Sequence, residues 1–193
     1  MKINPLTYAE LSRPMYVLEE ARLRENLNLI AHVAKEADVE IILAFKAYAL
    51  WRTFPIFREY IKATTASSLF EARLGFEEFG APTHTFSPGY TDYEIDDIAR
   101  CSSHLVFNSL TQYERFHVRA KIENEKLSFG LRVNPEYSEV ETLIYNPCAP
   151  GTRFGISSDK LPETPPAHLA VSHIHCHCDS GSDVFERTLV HIE

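Results

Sequence analysis

Short apolar runs alternate with helical patterns along the chain. The runs fall at residues 15–18, 40–45, 61–65, 84–86, 104–107, 127–133 and 169–175. Each has the length of a strand, and seven are too many for a small two-layer motif. Between the first two, Leu23, Leu27, Ile30 and Ala34 recur at spacings of four, three and four, which predicts an amphipathic helix over 19–37. After the third run, Ser68-Leu69-Phe70-Glu71 reads as a capping box, its hydroxyl and carboxylate taking free N–H groups at a helix start. Gly80 follows the apolar set Ala72, Phe76 and Phe79 as a stop. The box recurs as Thr91-Asp92-Tyr93-Glu94 before Ile95 and Ile98, and as Ser109-Leu110-Thr111-Gln112 before Tyr113 and Phe116. Three strand-then-cap units in succession predict an α/β fold around a parallel sheet, wound as a barrel or as a doubly wound sheet.

Residues 134–166 break this rhythm. They hold six of the eleven prolines and the glycines at 151 and 155, and predict a long excursion at a strand end, where loops often carry function. No repeat beyond the βα period, low-complexity tract or composition shift divides the chain, so residues 1–193 are expected to belong to one domain. Phe185, Leu189 and Ile192 give a helical face near the end, so the sequence is expected to stop inside a βα unit.

Composition narrows the partners. A chain of 193 residues with 45% hydrophobic and 24% charged residues has the balance of a globular protein with a core. Its formal net charge of -8 argues against a phosphate-backbone binder, so no nucleic acid is expected. Cysteines at 101, 148, 176 and 178 lack framework spacing, and no charged-then-apolar leader is visible, which points to a reducing cytoplasm. No run approaches the roughly 20 apolar residues that span a bilayer, so no membrane insertion is expected.

Lys46 closes the apolar run Leu43-Ala44-Phe45. A buried ammonium there is costly unless it is paired or loses its proton, and desolvation would make the amine nucleophilic toward an aldehyde. The plainer reading is a lysine snorkelling from a strand end. His173, His175, Cys176, His177, Cys178 and Asp179 suggest a metal site, but strand alternation points the histidines one way and Cys176 and Cys178 the other. The acidic group Asp92, Glu94, Asp96 and Asp97 is explained by the positive end of a helix. Phe54, Phe57 and Tyr60, at helical spacing, read as core or subunit contact.

Taken together, several of these segments resemble a family. Met15-Tyr16-Val17-Leu18, Ala44-Phe45-Lys46-Ala47 and the stretch from Thr65 through Ser67-Ser68-Leu69-Phe70-Glu71 to Gly75 resemble the alanine-racemase-like, fold type III enzymes that use pyridoxal 5'-phosphate (PLP). Leu131-Arg132-Val133-Asn134-Pro135, Thr152-Arg153-Phe154-Gly155-Ile156 and His173-Ile174-His175 with Cys178-Asp179 keep the order of the branch that decarboxylates carboxynorspermidine and carboxyspermidine. The resemblance implies a TIM-type (β/α) barrel with about six of its eight strands and without the family's C-terminal β domain. It implies Lys46 as the Schiff-base lysine, His175 as the stacking partner of the cofactor ring, and Arg132 as a nearby cation. It further implies a small-molecule polyamine substrate and a homodimeric parent. Thr65 stands where related basic-amino-acid decarboxylases have an aspartate, which fits the carboxynorspermidine branch better. The family's glycine-rich phosphate loop, pyridine-pairing glutamate and later cysteine region have no counterpart in these residues, so the chain alone is expected to be inactive. Another fold type III decarboxylase or racemase, or a noncatalytic PLP-binding or partner-binding remnant, is the alternative.

Overall fold

Every strand and helix expected between residues 61 and 123 forms, each strand lying parallel to its predecessor, and two of the three expected serine or threonine caps are made. The computed structural model describes residues 13–177 and 190–191. Phe185, Leu189, Ile192, Cys178 and Asp179, which the sequence singles out, lie outside the described residues. Two compact units are distinguished, Met1–Glu40 and Ile41–Glu193.

The first unit contains α1 (Glu20–Glu36), the expected amphipathic helix. Arg24 Nε bonds Glu20 at 2.9 Å, a four-residue spacing that supports an exposed helix modestly. The run 15–18 is not a strand. Its side chains are exposed, and no described strand pairs with it, so its backbone lacks the partner that an extended segment requires.

The second unit is a six-stranded parallel sheet in sequence order: β1 (Leu43–Ala44), β2 (Thr64–Ala66), β3 (Thr83–Phe86), β4 (Ser102–Phe107), β5 (Ser128–Arg132) and β6 (His173–His175). Between the strands lie α2 (Phe54–Phe57), α3 (Leu69–Leu74), α4 (Ile95–Cys101) and α5 (Leu110–Glu123). Alternation along the strands separates two faces. On the outer one, Leu105, Phe107, Phe129 and Leu131 share a core with Ile95, Ile98, Tyr113 and Phe116 of α4 and α5. Phe107 meets Tyr113 edge-on at 5.5 Å between ring centroids. Thr83, Thr85 and Ser102 are buried on this face and satisfy one another, with Thr83 Oγ1 to Thr85 Oγ1 and Thr85 Oγ1 to Ser102 Oγ both at 2.7 Å.

The caps differ in detail from the reciprocal box. Ser68 Oγ accepts from Glu71 N–H at 3.2 Å and Ser109 Oγ from Gln112 N–H at 3.1 Å, as expected. Glu71 and Gln112, however, reach one residue further back, to the N–H groups of Ser67 (2.6 Å) and Asn108 (2.7 Å). Thr91 is not a cap: its hydroxyl bonds the Glu94 carboxylate at 2.7 Å and α4 begins one residue after Glu94. Gly80 ends the turn Gly75–Phe79 at φ 78°, a left-handed conformation that favours glycine. Phe54 and Phe57 are buried in the core, Phe54 lying 5.4 Å from Phe45. Residues 134–166 form the expected excursion, tied to the sheet by a parallel bridge from Val133 to Ile156. The acidic group does more than face a helix end, since Asp92 and Asp96 also pair with Arg115 and Arg119 of α5.

Candidate active site

The C-terminal ends of the parallel strands open onto one cleft of about 390 Å³. Lys46 enters from the end of β1, Ser67 from β2, Phe86 and Pro88 from β3, Arg132 from β5, and His175 and His177 from β6. Ile144, Tyr145, Asn146, Pro147 and Phe154 of the excursion form the facing wall. In barrels of this kind the strand C-termini are where sites are built. The structure therefore brings Lys46, Arg132 and His175 together, although 43 residues separate the last two in sequence.

Lys46 corrects one expectation. It stands two residues past β1 in a turn and is exposed, so the burial from which a desolvated amine is argued is not present among the described residues. Its inward direction follows from the pleat: Leu43 and Phe45 turn toward the helices and Ala44 and Lys46 away from them.

Arg132 is the buried member of the set, with 5% of its surface exposed. Its guanidinium lies over two phenyl rings, 4.8 Å from the Phe86 centroid and 4.7 Å from that of Phe154. Burial pulls its pKa down from the ordinary arginine value, opposed by the Cys148 and Cys176 thiols, and no carboxylate among the described residues acts on it. A buried cation held by rings and without an acid to pair with is disposed to meet an anion.

His175, the last residue of β6, sets its ring edge-on to Phe86 at 4.7 Å. Burial first, then Arg132, His177 and Lys46, push its pKa down to about 4, so its imidazole is neutral at neutral pH. In the sequence His177 is singled out only as a member of the candidate metal group. The structure places it in the cleft wall, and its backbone carbonyl accepts from the Cys148 thiol at 3.8 Å. Phe86 and Phe154 are the functional residues that sequence reasoning missed. Their signals were there: Phe86 lies two residues beyond His84 on one strand face, and Phe154 stands inside Thr152-Arg153-Phe154-Gly155-Ile156.

Among the described residues no group of three histidine, cysteine or acidic side chains is placed to hold a metal ion, and no helix is long and apolar enough to cross a membrane. Cys101, Cys148 and Cys176 form no disulfide among the described residues. A second depression, of about 430 Å³ at the start of α5, contains none of the predicted site residues.

Parallel strands in sequence order, helices on one side and a cleft at the strand C-termini define half of a PLP-type (β/α) barrel. The crystal structure of carboxynorspermidine decarboxylase complexed with norspermidine from Campylobacter jejuni matches 95% of this chain and 46% of its own, with 32% identity and a TM-score of 0.79. That of diaminopimelate decarboxylase from Helicobacter pylori, at 15% identity and a TM-score of 0.64, supports the fold alone. Among curated proteins, carboxyaminopropylagmatine decarboxylase of Synechocystis sp. is 39% identical over 96% of the chain. Carboxynorspermidine/carboxyspermidine decarboxylase of Campylobacter jejuni subsp. jejuni is 35% identical over 94%. By sequence the chain is similar to these two curated decarboxylases, and it spans about half the length of each, 47% in both cases. No family model matches it.

Proposed function

We propose that this chain carries the lysine-bearing half of a PLP-dependent decarboxylase acting on a carboxylated polyamine, carboxynorspermidine or carboxyspermidine, with norspermidine or spermidine as product. The observation that supports it most is the convergence of Lys46, the unpaired buried Arg132 and the neutral His175 on one cleft at the strand C-termini. The residues fit the cofactor: an amine for its aldehyde, an uncompensated guanidinium for an anionic oxygen, and an uncharged ring to lie against a pyridine. When bound, PLP supplies the electron sink for the pair left behind by carbon dioxide.

The chain's own groups set the geometry. Lys46 would hold the cofactor through its amine, which its exposure leaves accessible from the cleft. Arg132 packs its guanidinium against both Phe86 and Phe154, which holds it in the cleft before a ligand arrives. Phe86, Phe154 and Pro88 keep water from the floor of the cleft and strengthen the field of Arg132 there. His175 adds no charge that would compete with it at neutral pH. The remaining phosphate and pyridine contacts belong to residues beyond this half. A homodimeric parent in the reducing cytoplasm, with no nucleic-acid or membrane partner, completes the reading.

A second substrate is favoured by a specific observation, the 39% identity to a carboxyaminopropylagmatine decarboxylase. Both candidates are carboxylated amines with long aliphatic arms. Carbon dioxide release from each, set beside ornithine and diaminopimelate, decides between them. Faster turnover of either amino acid would move the protein to another branch. The cofactor assignment is tested by borohydride reduction with PLP and peptide mapping. The label is expected on Lys46, and finding it mainly on Lys35, Lys62 or Lys121 would overturn the assignment. PLP retention should fall further in His175→Ala than in His177→Ala, and the opposite order would transfer the ring contact to His177.

A further inference from the structure

One pleat step below the cleft, the inner face of the sheet carries three imidazoles in a row. His84 of β3 and His104 of β4 are opposite each other in the register, and their rings stack at 3.9 Å between centroids with a tilt of 28°. His173 of β6 meets His104 edge-on at 5.2 Å. Gly130 of β5 stands opposite His173, and a Cβ there would overlap the His173 ring, so the row exists only because residue 130 has no side chain.

The hydrogen bonding of this row suits neutral rings. His104 Nδ1 lies 3.0 Å from Ser103 Oγ and His173 Nδ1 lies 3.2 Å from Ser172 Oγ. His173 Nε2 is buried and has no hydrogen-bond partner among the described residues. A neutral imidazole has one donor and one acceptor nitrogen, whereas the protonated ring has two donors that must both find acceptors. A proton at Nε2 of His173 would point where no acceptor is present. Two charges on rings stacked at 3.9 Å would also repel strongly away from bulk water.

Every described element beside the row adds to this bias. Thr65 of β2 faces His84, and Gly130 of β5 faces His173. One step toward the cleft stand Arg132 and His175, with Lys46 and His177 at the mouth. Burial, then His104 and His173, hold the pKa of His84 down to about 4, and burial followed by His104 lowers that of His173. No carboxylate among the described residues acts on His84, His173 or His175.

We propose that His84, His104 and His173 form a packed imidazole layer that positions Arg132 and His175 for the cleft above, and that proton entry at His84 or His173 releases them. The coupling runs through β5 and β6, where Gly130 pairs with His173 and Arg132 with His175 in one ladder. Displacing the lower pair displaces the upper. The inference rests on the proposed function only in taking the cleft as the working site.

A histidine whose folded pKa lies below its unfolded value favours the fold fully above the ordinary histidine value of about 6.5. That contribution is lost as pH falls toward about 4, the window set by His84 and His175. The experiment follows the ring Cε1–H signals and the near-UV circular dichroism of the chain from pH 8 to pH 4. The His84 and His173 signals are expected to stay neutral below pH 6 and then shift together with loss of the near-UV signal. In a His84→Phe/His104→Phe double variant, which keeps the rings and removes two protonation sites, that loss should move down by about one pH unit. Independent titration of His84 and His173 near the ordinary value under an unchanged near-UV signal would overturn the proposal, as would an unshifted midpoint in the double variant. Should the double variant fail to fold, the titration of the unsubstituted chain decides alone. Borohydride labelling with PLP at pH 8 reports separately on the proposed function, and its failure leaves the titration result standing.

Discussion

The two faces of the sheet are built from alternate residues of the same strands, yet they obey different rules. Outward, β4 and β5 present Leu105, Phe107, Phe129 and Leu131, all buried against α4 and α5. Inward, the same strands present His104, Val106, Gly130 and Arg132. On β6 the alternation yields the exposed Ile174 outward and His173 and His175 inward. The outer face is apolar, and of its few polar groups Thr83, Thr85 and Ser102 satisfy one another, while Thr64 Oγ1 has no hydrogen-bond partner among the described residues. The inner face holds cations and imidazoles with an unpartnered nitrogen and a guanidinium that lacks an acid. Stability is concentrated on one side of a sheet and chemistry on the other, so substitutions one residue apart should separate the two.

The largest stability effect is expected outward. Phe107→Ala removes a fully buried ring that touches Tyr90, Tyr113 and Phe129, and should cost roughly 3–5 kcal/mol in urea unfolding, as large-to-small core changes do. Lys46→Ala is its inner counterpart. PLP labelling and any turnover of the assembled enzyme should fall by roughly 10³-fold or more, while the urea midpoint stays where it was because the side chain is exposed. A large drop in stability on removing Lys46, or unaltered labelling, would erase the distinction between the faces.

Much of the outer face was legible in the sequence, because hydrophobic period and capping chemistry are local signals. The helix over 19–37 and the starts after Ser68 and Ser109 follow from side chains within one or two turns of each other. Where the sequence pattern failed, the partner actually available decided the outcome. The run 15–18 has strand composition but no described strand beside it. Thr91 prefers the Glu94 carboxylate to an amide. The inner face was only partly legible. Lys46, Arg132 and His175 were reached through resemblance, since nothing in their spacing says that strand ends 40 to 130 residues apart converge. The histidine layer was invisible because it needs the register of four strands and the absence of a side chain at residue 130.

Gly130→Ala should have an intermediate effect and tests the inner face directly. The added methyl overlaps the His173 ring, which must rotate away or push β6 off β5, a strain of roughly 1–3 kcal/mol by analogy with overpacked cores. Because the obstruction is one side chain, His173→Ala in the same chain should restore most of the loss. A double-mutant cycle in urea measures this coupling. Additive effects would mean that the two residues do not share the contact seen in the structure.

The smallest effect concerns the caps, which stand beside the outer helices. Ser109 Oγ accepts the Gln112 N–H at 3.1 Å, whereas Thr91 makes no such bond to the start of α4. Ser109→Ala therefore leaves a helix N–H without its side-chain acceptor and should cost about 1 kcal/mol, the usual size of a lost N-cap. Thr91→Ala loses only an exposed hydroxyl-to-carboxylate contact and should cost distinctly less, although the sequence pattern is the same at both sites. Thermal unfolding of the two variants, measured side by side, reads the difference. Neither residue lines the cleft, so PLP labelling at Lys46 should be equal in both. Equal destabilisation would show that Thr91 caps α4 in solution. Loss of labelling in the Ser109 variant would show that the start of α5 reaches the cleft through Asn108, which bonds both Arg153 O (2.8 Å) and Gly155 N (2.8 Å) of the facing wall.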